Sequence, residues 1–164
     1  MLRLSLVCHG NIGRSQILHH YLRKALSERG IPVELFSCGT APQEAYPNDR
    51  PLLAEVQKEL NRRAVPAVVE RTVWGPQAEK IIGTSDVVLV ADEARRLEVL
   101  QRTDISPSNV YLFYEFIGEE KKDFVDTFDP EKGRQDGERF MKCFDELQRI
   151  AERAAERIRS CAER

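Results

Sequence analysis

The chain has 164 residues, is 41% hydrophobic, and carries 25 Lys+Arg against 27 Asp+Glu, a formal net charge of −2. That length allows one compact domain over residues 1–164, and the apolar content excludes wholesale disorder. The near balance of charge argues against a protein that holds nucleic acid by bulk electrostatics, so no nucleic-acid partner is expected.

The elements read in chain order as strands alternating with helices. Leu2–Cys8 (LRLSLVC) is a short apolar run that ends in a turn bearing Gly10 and Gly13. A helical pattern follows, with Ile17, Leu18, Tyr21, Leu22, Ala25 and Leu26 on one face, and Gly30 stops it. Residues 33–37 (VELFS) read as the second strand. Asn48 or Asp49 can cap a helix that has Pro51 in its first turn and Leu52, Leu53, Val56 and Leu60 facing inward. Residues 86–91 (DVVLVA) are apolar after the first position, as a strand covered on both faces requires. A short helix from about Asp92 and a fourth strand over 109–114 come next. The last helix keeps Phe140, Cys143, Phe144, Leu147, Ile150, Ala151, Ala154 and Ile158 at helical spacing. Strands separated by helices predict a parallel sheet with helices on both faces, an α/β fold. Residues 118–136 form the longest polar stretch, a candidate functional loop.

No run approaches the roughly 20 apolar residues of a membrane span, and the N-terminal apolar stretch breaks too early for a signal peptide. Four cysteines (Cys8, Cys38, Cys143 and Cys161) contain no CxxC pair, which speaks against a zinc knuckle. A cytoplasmic protein with free thiols, no membrane partner, no metal and no cofactor is the expectation.

The chemistry sits at the end of the first strand. Cys8-His9-Gly10-Asn11-Ile12-Gly13-Arg14-Ser15 sets a cysteine and an arginine on either side of a strand-to-helix turn. Glycines let successive N–H groups point at one anion, and the following helix adds its positive N-terminal end. The same field favours the thiolate, the nucleophilic form of cysteine. Arg14 offers a planar fork for two oxygens of a phosphoryl group. The chain holds its own control, because Cys143 and Arg149 have the same spacing inside an amphipathic helix with no glycine between them. Arg149 then lies on a different helix face, the intervening backbone donors are bonded within the helix, and Cys143 reads as a core thiol.

These residues carry a resemblance. VCHGNIGRSQ (7–16) resembles the C-x-G-N-I-C-R-S-P signature of low-molecular-weight protein tyrosine phosphatases. SCGT (37–40) is similar to that family's S-A-G-T, SDVVLVAD (85–92) to its third strand, and TFDP (127–130) to its late Asp-Pro loop. The resemblance implies a four-stranded parallel sheet in order 2-1-3-4, with the site at the carboxyl edge near the switch point. It assigns Cys8 as nucleophile, Arg14 as the clamp on the transition state, and Asp129 as the general acid, with Asp126 and Asp123 competing in the same loop. The phosphate-binding set is His9, Gly10, Asn11, Ile12, Gly13 and Ser15; Asn11, Ser15 and Ser37 match polar residues that brace the loop.

The departures bear on substrate. Gly13 stands where the family commonly has a second cysteine, and Gln16 replaces the usual proline, as in related arsenate reductases. Those enzymes need further cysteines near the third strand, and residues 64–100 contain none. Glu131-Lys132 follow the Asp-Pro in place of aromatics, while Tyr46 is a candidate aromatic wall. Ile12 matches the tyrosine-phosphatase subgroup, whereas 111–130 resembles bacterial members that include arginine phosphatases. Cys38 reads as a small buried filler, the His9 side chain as solvent-exposed, His19 and His20 as surface or partly buried, and Trp74 as a packing anchor.

A phosphoprotein phosphatase acting on phosphotyrosine is therefore expected, its partners a phosphorylated protein or small aryl phosphate and inorganic phosphate as product. A protein arginine phosphatase, a thiol-dependent arsenate reductase and a non-enzymatic phosphopeptide-binding module are the alternatives.

Overall fold

The computed structural model describes residues 1–126 and 137–163, together with the backbone of 128–129 and 134–135. Four parallel strands, β1 (Leu2–Cys8), β2 (Val33–Gly39), β3 (Val87–Val90) and β4 (Val110–Leu112), pair in the order β2-β1-β3-β4. This is the expected α/β sheet. Register places Cys8 opposite Gly39 and Val7 opposite both Cys38 and Val90.

Alternation along the strands builds two cores. Leu4, Leu6, Cys8 and Leu89 face α1 (Arg14–Glu28) and the long α6 (Gly137–Ala162), while Val7, Cys38, Val88 and Val90 face the opposite way. There they meet Ala78 and Ile82 of α3 (Pro76–Gly83) and Val99 of α4 (Glu93–Arg102). Successive residues of a strand point to opposite faces, so a continuous apolar run needs helices on both. Among the described residues, no helix is long and apolar enough to cross a membrane.

Several boundaries differ from the sequence expectation. β2 runs on to Gly39, because Gly39 bonds to the passing segment through Thr72 O and Trp74 N. The fourth strand stops at Leu112 instead of continuing to 114. The Glu115 carboxylate accepts the Leu112 N–H, and Phe113–Phe116 turn into one helical turn, α5. The helix α3 gave little sequence signal, since only Ala78 and Ile82 are buried. α2 (Asp49–Arg62) has the expected Pro51 in its first turn, but Asn48 makes no capping hydrogen bond and the Asp49 carboxylate turns to Arg71. The polar stretch 118–136 contains a two-stranded antiparallel ladder, β5 (Phe128–Asp129) with β6 (Arg134–Gln135).

His19 and His20 are corrected more strongly. Both are buried, at 7% and 2% exposure. Gln16, one turn before His20, donates to the carbonyl of Glu70, so an extended segment covers this flank of α1. A helix covered on its flank as well as its sheet face buries residues that its apolar stripe alone leaves outside. Trp74 packs against the second core, with the Arg102 guanidinium over its ring. Cys38 is fully buried, as expected of a filler.

Candidate active site

The loop after β1 opens where the strand order reverses, with β2 on one side and β3 on the other. In open parallel sheets this is where ligands collect. The turn needs unusual backbone. Asn11 sits at φ 57, in the left-handed region that asparagine tolerates better than most residues. A Cβ on Gly39 would lie 2.6 Å from the Gly10 carbonyl carbon, and one on Gly10 would lie 2.8 Å from the Tyr46 ring. The loop is seated against β2 and Tyr46 because both positions lack a side chain. Backbone bonds from Thr40 N to Cys8 O and from Ala41 N to His9 O hold its first residues.

Cys8 is almost wholly buried, and its sulfur receives the Asn11 N–H at 3.2 Å. Ser15 Oγ lies 2.9 Å from the same sulfur and accepts Asn11 Nδ2 at 2.7 Å. Accepting from Asn11 leaves the single hydroxyl hydrogen of Ser15 free to donate to Cys8. Two donors therefore converge on Sγ, both with the sulfur as acceptor. Asn11 is itself locked, its Oδ1 accepting Thr72 N at 2.8 Å and Gln16 Nε2 at 3.1 Å.

Arg14 opens α1 and its side chain is 4% exposed. Nη1 donates to Asp92 and to the Phe124 carbonyl, each at 2.9 Å, and Nη2 lies 3.5 Å from the Asp126 carboxylate. Burial alone would lower its pKa, but the negative charges of Cys8, Asp126 and Asp92 outweigh burial and push it up. Burial likewise would raise Asp92, yet the Arg95 N–H and the Arg14 guanidinium hold it below the ordinary carboxylate value. Arg14 is thus a fixed cation aimed by two carboxylates and a carbonyl. An open cleft beside it is lined by His9, Asp92, Arg95, Phe124 and Asp126.

The structure brings Cys8, His9, Gly10, Asn11, Ile12, Gly13, Arg14 and Ser15 together at one point. Ile12 is buried with Ala41, Tyr46 and Leu52, so its side chain is spent on packing. Ser37 lies in β2 opposite Leu6, and no hydrogen bond joins it to the described loop residues; Gly39, Thr40 and Ala41 make that approach instead. His9 is half-buried, with Nδ1 2.6 Å from the Tyr46 hydroxyl, and not the free surface ring that was expected. Tyr46 is 8% exposed and packs under Gly10, with its hydroxyl at His9 Nδ1 and its ring in a T-shaped contact with the imidazole, 5.6 Å between centroids. Asp123 caps α4 by accepting Glu93 N. Asp126 stands at Arg14. The Asp129 backbone belongs to β5, and its side chain lies outside the described residues. Sequence reasoning missed Asp92, although a lone acid at the carboxyl end of an apolar strand was a usable signal. It also missed Gln16 and Arg71 as loop partners, and no local pattern marks either.

The family model described as low molecular weight phosphotyrosine protein phosphatase matches residues 3–163. Among curated proteins no sequence match is found. Solved structures share the fold at low identity. A low molecular weight phosphotyrosine phosphatase from Vibrio cholerae is 17% identical, with 99% of this chain and 97% of that one covered and a TM-score of 0.71. The YwlE arginine phosphatase from Geobacillus stearothermophilus is 20% identical, with 98% and 94% covered and a TM-score of 0.71. Wzb from Vibrio vulnificus, solved with benzylphosphonate, is 22% identical, with 94% and 97% covered and a TM-score of 0.70.

Proposed function

Because the chain belongs to the low molecular weight phosphotyrosine protein phosphatase family, we propose that it is a cysteine-dependent phosphoprotein phosphatase that hydrolyses phosphotyrosine through a phosphocysteine. The observation that carries this reading is the convergence of Ser15 and the Asn11 amide on Cys8 Sγ, inside a loop closed by the buried Arg14.

The phosphoryl group lies in the cradle of loop amides, with Arg14 across its equatorial oxygens as negative charge builds. The Cys8 thiolate attacks phosphorus, an S–P bond forms, and the ester P–O bond breaks. The departing oxygen takes a proton from the Asp129 carboxyl. That carboxylate then removes a proton from a water that attacks phosphorus, the S–P bond breaks, and inorganic phosphate leaves with the thiolate restored. Every step uses side chains of this chain, working in the cytoplasm, where free thiols persist.

Phosphoarginine is the second reading. The cleft rim carries Asp92, Asp123 and Asp126, and Tyr46 is buried beneath the loop and does not wall the cleft. Carboxylates suit a cationic guanidinium leaving group better than a neutral ring. A thiol-dependent reductase is less favoured, since Cys38 lies on the sheet face opposite Cys8.

Purified protein assayed on phosphotyrosine and phosphoarginine peptides, and on arsenate with thiol, tests the assignment. Turnover of a phosphopeptide that is lost in Cys8→Ser supports the phosphatase. Tight phosphopeptide binding without turnover by the wild type would leave a binding module instead.

A further inference from the structure

The peptide between Gly10 and Asn11 is held from three sides. Its carbonyl oxygen accepts Arg71 Nε at 2.9 Å. Its carbonyl carbon and nitrogen lie against Gly39, where any Cβ would approach to 2.6 and 2.8 Å. The Tyr46 ring abuts Gly10, and the Arg71 guanidinium in turn covers that ring, 5.3 Å from its centroid. The rest of Arg71 is committed as well. Nη1 donates to Gln43 O at 3.1 Å and to Asp49 at 3.3 Å, and Nη2 donates to Pro42 O at 3.2 Å. The side chain is 4% exposed.

A trans peptide points its C=O and N–H in opposite directions. Whatever draws the Gly10 carbonyl outward therefore turns the Asn11 N–H inward, and that N–H lies 3.2 Å from Cys8 Sγ. With Asn11 at φ 57, this orientation is one the bare chain does not favour. We infer that Arg71 is a positioning residue: it clamps the Gly10 carbonyl so that the Asn11 amide faces the nucleophile and the anion it attacks. The inference rests on the reading of the Cys8–Ser15 loop as a phosphate cradle. A guanidinium suits the task because one planar group reaches Gly10, Gln43 and Pro42 carbonyls together and stays charged at any working pH. A lysine ammonium at this position can supply charge but not three fixed directions.

The test is phosphate binding to the folded protein by calorimetry, alongside phosphatase turnover, for Arg71→Lys, Arg71→Met and Asp49→Asn. Misdirecting one preorganised amide is expected to raise the dissociation constant of inorganic phosphate, and lower kcat/KM, on the order of 10–100-fold in both Arg71 variants. Asp49→Asn removes the carboxylate partner of Arg71 and leaves the Nε bond to Gly10; its melting temperature should fall as in Arg71→Lys, with phosphate binding within about twofold of wild type. A further readout is the Asn11 amide resonance, which should move on phosphate addition in the wild type and much less in Arg71→Lys. Phosphate affinity in a folded Arg71→Lys equal to that of wild type would overturn the clamp, as would an equal loss in Asp49→Asn. If the wild type binds phosphate but turns over no phosphopeptide, the phosphatase reading fails while weaker phosphate binding by Arg71→Lys still supports the clamp.

Discussion

Cys8 with Arg14, and Cys143 with Arg149, are two copies of one spacing in one chain, and the structure gives them opposite environments. Cys8 ends a strand, and two donors meet at its sulfur. Cys143 lies on the inner face of α6 within the apolar core, and burial pushes its thiol up to about 11. Arg14 is buried across the loop mouth, whereas Arg149 lies partly exposed and pairs with Glu119 and Glu146. In α6 the intervening amides are spent on the helix; in the loop the Asn11 amide turns to Cys8 Sγ instead. The lesson is that backbone conformation, not the interval between two side chains, brings donors to a sulfur.

The largest effect that could break this comparison is on turnover. Cys8→Ser should lower phosphatase activity by on the order of 10⁴-fold or more, because serine is isosteric but a poor nucleophile near neutral pH. Cys143→Ser should leave kcat/KM near normal while lowering the melting temperature, since a buried hydroxyl replaces an apolar thiol. Side-by-side steady-state assays and thermal melts decide it; a Cys8→Ser enzyme with a tenth of wild-type turnover removes Cys8 from the role of nucleophile.

The acid comes next. Asp129→Asn should slow the burst on phosphotyrosine by about 10²–10⁴-fold, the usual worth of general acid catalysis, and slow it less on an acidic phenyl phosphate. Asp126→Asn is the paired measurement, because the structure places that carboxylate 3.5 Å from Arg14 Nη2. A larger burst loss in Asp126→Asn transfers the acid role to it.

Thiol reactivity sharpens the contrast without touching turnover. Iodoacetate should modify Cys8 ahead of Cys38 and Cys143, whose burial pushes their thiols up to about 12 and about 11. Phosphate should protect Cys8. After mild peroxide, Cys8 should progress toward sulfinic acid, because Gly13 cannot trap a sulfenic acid and Cys38 faces the other side of the sheet. Mass spectrometry showing a quantitative Cys8–Cys38 disulfide would contradict that placement.

The smallest effect on activity concerns α1, the helix that follows the Cys8 loop. Burial drives His19 and His20 on α1 down to about 3 and about 4, from 6.5. Arg23 donates to His19 Nε2, and neither ring nitrogen of His20 has a partner among the described residues. Below pH 6.5 the unfolded chain takes up protons that the folded chain refuses, so stability falls as pH drops from 6.5 toward 4. The slope is about 1.4 kcal/mol per pH unit for each histidine. Melting temperatures from pH 7 to 4.5 should show this decline, and His20→Leu should roughly halve it while leaving the Cys8–Ser15 loop intact.

Much of the loop was legible because its determinants are local. Cys8, Gly10, Asn11, Arg14 and Ser15 are close in sequence, and their mutual bonds span few residues. What turns Arg14 into a fixed cation was not legible. Asp92 and Phe124 reach it across 78 and 110 positions. Arg71 reaches Gly10 across 61. The helix α3 escaped notice for a related reason, since two buried residues in eight make no recognisable stripe.

By itself the sequence determined the α/β order, the doubly covered sheet and the turn after Cys8, because apolar period, glycine placement and a strand-to-helix junction act through neighbouring bonds. Only the tertiary structure decided which way each loop peptide faces, that Tyr46 lies under the loop, that His19 and His20 are sealed from water, and that Asp126 approaches Arg14. Those outcomes depend on which distant segment packs against an element. A short motif specifies its own backbone and not the surfaces that will later press on it.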